Sequence, residues 1–217
     1  MFKIKPGLPD QYAHNNNEGP LRRINANERL FSDDAAFDWI YPLDIGAKSK
    51  KHWTPLNIAR KAAEFLAEPD ATVLDVGSGA GKFCLTGAFE YPETIFFGVE
   101  QRHELVLCSE QAKNYIGLTN VHFLYANMTQ VRFSEFDNFY FYNSFYENID
   151  GEDAIDNNIE TSYSLYSYYT RYLHTELQKT RPGTKLVTFH SSGVEVPQSF
   201  RLADMSDDML LQMWIKR

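Results

Sequence analysis

The sequence predicts an α/β fold: a doubly wound, mostly parallel sheet preceded by a partly helical extension. Three observations point to it. Short apolar runs alternate with segments of helical periodicity, the order that builds parallel sheets. One run, Thr72-Val73-Leu74-Asp75-Val76, passes straight into Gly77-Ser78-Gly79-Ala80-Gly81 and then into a helix. A second, Ile95-Phe96-Phe97-Gly98-Val99, ends on Glu100, so an acidic residue stands at a strand tip about 20 positions beyond the glycines.

Each element has its own signal. Residues 1–26 lack periodicity and carry Asn15-Asn16-Asn17-Glu18-Gly19-Pro20, the composition of an extended arm. Residues 27–40 are expected to be helical in part. Thr54-Pro55 reads as an N-cap followed by proline at the first helical position, and Leu56, Ala59, Ala63 and Leu66 recur at spacings of three and four. Val73, Leu74 and Val76 make a strand apolar on both faces, as buried parallel strands are. Helices are predicted over 82–90 and 102–116, the second closed by Gly117 as its C′ residue. Strands follow at 121–125 and 138–143. A long helix carrying Ile159, Tyr166, Thr170, Leu173 and Leu177 on one face leads through Pro182-Gly183 to a strand at 185–189. Residues 199–205 and 209–216 form an antiparallel hairpin about Ser206-Asp207-Asp208. The chain divides into an N-terminal extension, 1–53, and a cofactor-binding domain, 54–217.

Composition narrows the class. A chain of 217 residues, 43% of them hydrophobic, can bury an α/β core without disulfides or metal. Cys84 and Cys108 fall in predicted helices among apolar neighbours and read as small core residues. The six histidines show no metal-ligand spacing, so no metal is expected. Met1-Phe2-Lys3-Ile4-Lys5-Pro6 has no apolar leader and no stretch approaches a membrane span, which predicts a cytoplasmic protein without membrane contact. The net charge of −8 argues against a general nucleic-acid binder, which would present a basic face. Lys48, Lys50, Lys51, His52, Arg60 and Lys61 crowd one region; they read as a solvated surface, with a positive rim for an anionic substrate as the sharper alternative.

The glycine run carries the chemistry. Glycines without a Cβ let the backbone turn sharply and lie close to a ligand, and the amides opening the following helix point at whatever the loop holds. Glu100 is placed to receive ribose hydroxyls, so a nucleoside-containing cofactor is expected. A phosphate-binding P-loop would need a glycine where Val76 stands and Ser or Thr where Phe83 stands. The dinucleotide fingerprint wants its third glycine one residue later, at Lys82. Asp75, two residues before the first glycine, is a strand-end carboxylate whose burial demands a partner. It suits a cationic ligand better than a pyrophosphate.

S-adenosylmethionine carries an ammonium and a sulfonium and no phosphate. The run Asp75-Val76-Gly77-Ser78-Gly79-Ala80-Gly81, with Glu100 downstream, resembles motif I of the class I S-adenosylmethionine-dependent methyltransferases. The resemblance covers roughly residues 54–217. It implies a Rossmann-like sheet of seven strands with one antiparallel strand near the edge, and S-adenosyl-L-methionine as the cofactor. The strand tips that would meet it are Asp75 to Gly81, Glu100-Gln101 and Ala126-Asn127-Met128. Asn127 occupies the place of an acidic residue that accepts from the adenine amino group, and its amide oxygen can accept that bond. Met128 would pack on the adenine face.

Asn143-Ser144-Phe145-Tyr146 resembles the (Asn/Asp/Ser)-Pro-Pro-(Tyr/Phe) motif of methyltransferases that modify amino groups. The likeness implies that Asn143 orients the acceptor and that Tyr146 stacks on it, while Ser144 and Phe145 replace both prolines. His52-Trp53-Thr54-Pro55 resembles an aromatic-Thr-Pro element that such enzymes carry near the methionine end of the cofactor. Tyr142 and Glu147 are further substrate-side candidates, and the acidic run 147–153 reads as a solvated loop. Tyr163, Tyr166, Tyr168, Tyr169 and Tyr172 cover more than one helical face, so some must be exposed or meet a partner, with Tyr166 in the core stripe.

The resulting expectation is a methyltransferase whose acceptor is a small molecule or a protein side chain, with nucleic acid ranked below them. The alternatives are a cofactor-binding protein without turnover and, third, a nicotinamide-dependent oxidoreductase.

Overall fold

The computed structural model describes residues 26–149 and 154–217, so the arm expected over 1–26 lies outside the described residues except for Ala26, which opens a short helix. Seven strands form one sheet: β1 (Thr72–Val76), β2 (Ile95–Glu100), β3 (Val121–Tyr125), β4 (Asn138–Tyr142), β5 (Lys185–Phe189), β6 (Phe200–Met205) and β7 (Leu211–Lys216). Their order is β3-β2-β1-β4-β5-β7-β6. Strands β1 to β5 are parallel, whereas β7 runs antiparallel to both β5 and β6. This is the Rossmann-like sheet with a terminal hairpin that the sequence predicts. The chain builds outward from β1 through β2 to β3, then returns to place β4 on the other side of β1. A crevice therefore opens beyond the carboxyl ends of β1 and β4, where such sheets bind ligands.

Alternation along the strands divides the core in two. Val73, Phe96, Val121, Tyr140 and Val187 face helices α5 (Leu56–Leu66), α6 (Lys82–Glu90) and α7 (His103–Ile116). Leu74, Val99, Phe139, Phe141 and Leu186 face α8 (Tyr163–Lys179), which buries Leu173 and Leu177. Ile159 falls outside α8, because Ser162 caps that helix by accepting from the Leu165 amide at 3.2 Å. Tyr166, Tyr169 and Tyr172 pack partly buried against this second core.

Four short helices, α1 (Ala26–Leu30), α2 (Asp34–Asp38), α3 (Leu43–Gly46) and α4 (Ser49–His52), precede α5. Phe31, Phe37, Tyr41, Ile45 and Trp53 join the core that α5 and α6 build. Polar contacts fix this segment over the glycine loop. The Tyr41 hydroxyl donates to the Ala80 carbonyl at 2.9 Å. The Lys82 ammonium, 2% exposed, pairs with Asp34 and Asp38 at 2.7 Å each and donates to Ser49 Oγ at 3.1 Å. A buried lysine is tolerable only when so matched.

The start of α5 corrects the sequence reading. Pro55 is the N-cap, and the Leu56 amide donates to Asp34 Oδ1 at 2.9 Å. A carboxylate 22 residues away thus satisfies the first turn, which leaves the Thr54 hydroxyl to pair with the Tyr140 hydroxyl at 3.0 Å. Strand β4 also ends one residue early, since Asn143 has φ +30° and breaks the extended run. Among the described residues no helix is long and apolar enough to cross a membrane.

Candidate cofactor and acceptor site

A cavity of about 440 Å³ opens at the carboxyl ends of β1, β2 and β4, within the size range of small-molecule sites. The structure brings every predicted site residue to its wall. Asp75, Gly77, Ser78 and Gly79 come from β1 and its loop, and Glu100 and Gln101 from the tip of β2. Asn127 and Met128 follow β3, Asn143 and Tyr146 follow β4, and Thr54 precedes α5.

The loop can lie this close only because its glycines lack side chains. Gly79 has φ +54°, and a Cβ there would overlap the Trp53 ring. A Cβ on Gly98, in β2, would come within 2.6 Å of Ser78 Oγ. Ser78 Oγ is itself buried and has no hydrogen-bond partner among the described residues. A buried hydroxyl left unmatched beside a cavity is available to a ligand.

Glu100 is 5% exposed and already oriented. Its Oε2 accepts from the Gly79 amide at 3.0 Å, and its Oε1 accepts from the Arg102 amide at 2.8 Å. Each oxygen keeps a second lone pair, so the carboxylate can take two further donors such as the paired hydroxyls of a ribose. Burial raises its pKa, against which the Arg102 amide and charge pull downward. Asp75 is 3% exposed, and its carboxyl is pushed up to about 8 by burial. The Cys84 thiol donates to it at 3.6 Å and opposes that rise, while the Glu100 charge adds to it. A cation arriving beside Asp75 would restore the ionised form.

Asn127 is engaged locally. Its side-chain oxygen accepts from the Thr129 amide at 3.1 Å and hydroxyl at 2.9 Å, and its Nδ2 donates to the Tyr169 hydroxyl at 2.9 Å. These bonds hold the turn that presents Met128.

After β4, two features fix the turn that carries Asn143 and Tyr146. Ser144 Oγ donates to the Val76 carbonyl at 2.7 Å and stitches the turn to β1. Phe145 is buried and packs on Phe141 at 4.8 Å between ring centroids. The Tyr146 amide then donates to the Asn143 carbonyl at 3.0 Å, leaving the Tyr146 ring half exposed at the cavity mouth.

Sequence reasoning missed Arg102. Its guanidinium is buried, pairs with both oxygens of Glu147 at 3.2 and 2.7 Å, and reaches Asp156 at 3.2 Å. It also lies 3.9 Å from Glu100. Glu147 therefore belongs to this ion pair, which joins the tip of β2 to the segment after β4. The only sequence signal was a lone arginine between a strand-tip acid and an acidic stretch far downstream.

Comparisons with known proteins agree with this arrangement. Residues 69–142 match a family model described as "Putative methyltransferase". The tRNA (guanine-N(7)-)-methyltransferase of Synechococcus sp. (strain JA-3-3Ab) is 49% identical over 25% of this chain and 23% of its own. That of Nostoc sp. (strain PCC 7120 / SAG 25.82 / UTEX 2576) is 34% identical over 38% of each chain. The chain thus spans between about a quarter and two fifths of the length of these relatives. The crystal structure of an RNA methyltransferase from Salinibacter ruber in complex with S-adenosyl-L-homocysteine superposes with a TM-score of 0.52 at 18% identity, covering 74% of this chain and 90% of that one.

These relatives correct one expectation. The net charge of −8 ranks a small molecule or protein above nucleic acid as the acceptor; relatives named for tRNA methylation overturn that ranking. A net charge sums the whole surface and is silent on the potential at one cavity mouth. In its fold, the chain resembles that S-adenosyl-L-homocysteine-bound enzyme: a seven-stranded, mostly parallel sheet with a terminal antiparallel hairpin.

Proposed function

We propose that this chain is an S-adenosylmethionine-dependent methyltransferase that acts on a guanine of tRNA, at ring nitrogen N7. One observation carries the cofactor assignment: the Glu100 carboxylate, fixed by the Gly79 and Arg102 amides, faces a cavity whose glycine wall admits a ligand closely. The tRNA (guanine-N(7)-)-methyltransferase relatives support the acceptor. A cytoplasmic site of action goes with the same reading.

When bound, S-adenosylmethionine supplies a methyl group on a sulfonium sulfur, open to in-line displacement. Glu100 would receive the ribose hydroxyls, Asp75 would pair with the methionine ammonium, and Ser78 would offer its unmatched hydroxyl. Asn143 and Tyr146, at the tip of β4, stand where the acceptor enters; the Tyr146 ring stacks on a planar base and the Asn143 amide orients its edge. Guanine N7 bears a lone pair and no proton, so no residue has to move one. Catalysis then rests on holding the base in near-attack geometry, with the base taken out of its stack to reach the cavity.

Glu100→Ala removes charge-assisted bonds and should weaken cofactor binding by about 2–3 kcal/mol, or about 30- to 150-fold. Calorimetry with S-adenosylhomocysteine measures this. Wild-type affinity in that variant, or tight NADH binding by the native protein, would overturn the cofactor assignment. Labelled methyl transfer into tRNA, with 7-methylguanosine recovered after digestion, tests the acceptor; label confined to protein or metabolite fractions would overturn it.

A further inference from the structure

We infer that His190, at the tip of β5, is an acceptor-binding residue whose imidazole forms the far wall of the subsite that takes the target base. The inference rests on the tRNA reading above and adds to Asn143 and Tyr146 a contact from the next strand. Strands β4 and β5 pair in parallel up to Tyr142 and Phe189, so Asn143 and His190 are the next residue on each, side by side past the strand ends. Both leave the extended conformation there, with φ +30° at Asn143 and +53° at His190. Residues other than glycine rarely adopt such values, and two neighbouring strand tips that do so at one cavity point to side chains aimed for use. At His190 the terminal hairpin supplies the hold, since the His190 amide donates to the Leu210 carbonyl at 2.9 Å.

The imidazole is exposed and lines the cavity. Its ring centroid lies 5.6 Å from that of Tyr142, at 31° between planes, and 4.4 Å from that of Phe189, edge-on at 77°. Tyr142 lines the same cavity. Imidazole and phenol thus stand together as ring surface beside Asn143. The sheet order decides which ligand they meet. Strands lie about 4.8 Å apart, so the β5 tip is one interval from Asn143 but three intervals, about 14 Å, from the β2 tip that carries Glu100. His190 is therefore remote from whatever Glu100 holds and adjacent to whatever Asn143 holds. A flat base presents a π-face to rings of this kind, whatever its sequence, and the imidazole edge adds a hydrogen-bonding nitrogen.

The test uses His190→Gly and His190→Asn, which both accommodate the positive φ and both lack the ring. Each should lower kcat/KM for tRNA methylation by about 5- to 150-fold, the range of one lost base–aromatic contact. S-adenosylhomocysteine affinity by calorimetry and the melting temperature should stay near native. Asp70→Gly relaxes a similar φ of +61° just before β1, at the opposite end of the sheet from the cavity, and should methylate tRNA as the native protein does. A native kcat/KM in either His190 variant, with tRNA methylated by the native protein, would overturn the role of His190 and leave the acceptor standing. A loss matched by equal losses of S-adenosylhomocysteine affinity or stability would overturn it too, by marking a structural role. Absence of methyl transfer into tRNA by the native protein would overturn both.

Discussion

Asp75→Asn should stabilise the ligand-free protein increasingly as pH rises. The folded carboxyl holds its proton up to about 8, against an ordinary value of 3.8, because burial excludes the water that would solvate the anion. The unfolded chain releases that proton near the ordinary value. Between the two, the folded state binds the extra proton, so stability falls as pH rises from about 4 to about 8 and then levels. At about 1.4 kcal/mol per pH decade, the upper bound on the cost is about 2 kcal/mol at pH 5, about 4 at pH 7 and about 6 above pH 9.

Asparagine keeps the shape, can accept the Cys84 thiol bond and never ionises, so it escapes this cost. Urea titrations of native protein and variant at pH 5, 7 and 9 read the difference directly. Other groups contribute nearly equally to both proteins and cancel. The same variant should bind S-adenosylhomocysteine more weakly, since the neutral amide cannot pair with an ammonium. A difference in stability that stayed constant across the three pH values would refute a protonated Asp75 and, with it, the account of the carboxyl as a latent cation partner.

Three further outcomes follow from the geometry. Gly79→Ala must push against Trp53 at a positive φ and should lose cofactor binding with a stability loss above 1 kcal/mol, about the strain expected for Gly117→Ala, where nothing lies within 4 Å; equal melting shifts for the two would remove the steric argument. Asn143→Ala should lower the rate of tRNA methylation while S-adenosylhomocysteine affinity, read by calorimetry, stays near native. Leu177→Ala, at a fully buried position of α8, should cost about 2–5 kcal/mol in denaturant unfolding, and a loss under about 1 kcal/mol would show that α8 is not anchored there.

What the sequence reveals depends on how local the cause is. Parallel strands are legible because burial on both faces demands unbroken apolar runs, as in Val73-Leu74 and Phe139-Tyr140-Phe141. The glycine loop is legible because its backbone requirement falls on consecutive residues. Contacts between distant segments are not. Nothing in Thr54-Pro55 announces that Asp34 will satisfy the first amide of α5 and free Thr54 for Tyr140. Lys82 likewise reads from sequence only as the residue that opens a helix, yet its ammonium turns back to Asp34 and Asp38. Arg102 stands 45 residues from Glu147, and only the folded sheet, which sets the tips of β2 and β4 on either side of β1, brings them together.

On the proposed tRNA reading, an acidic composition and an RNA acceptor are compatible. The floor of the cavity holds three buried carboxyl groups, Asp75, Glu100 and Glu147, with the Arg102 guanidinium and the Lys82 ammonium, the latter paired to Asp34 and Asp38. Glu100 and the protonated but ionisable Asp75 suit a donor carrying a sulfonium and an ammonium better than a phosphate brought equally deep. An RNA acceptor need not come that deep. A target base is uncharged, and its phosphates would stay outside the cavity. At physiological salt the screening length is about 8 Å, so a phosphate outside the cavity responds mainly to the charges beside it rather than to the sum over the chain.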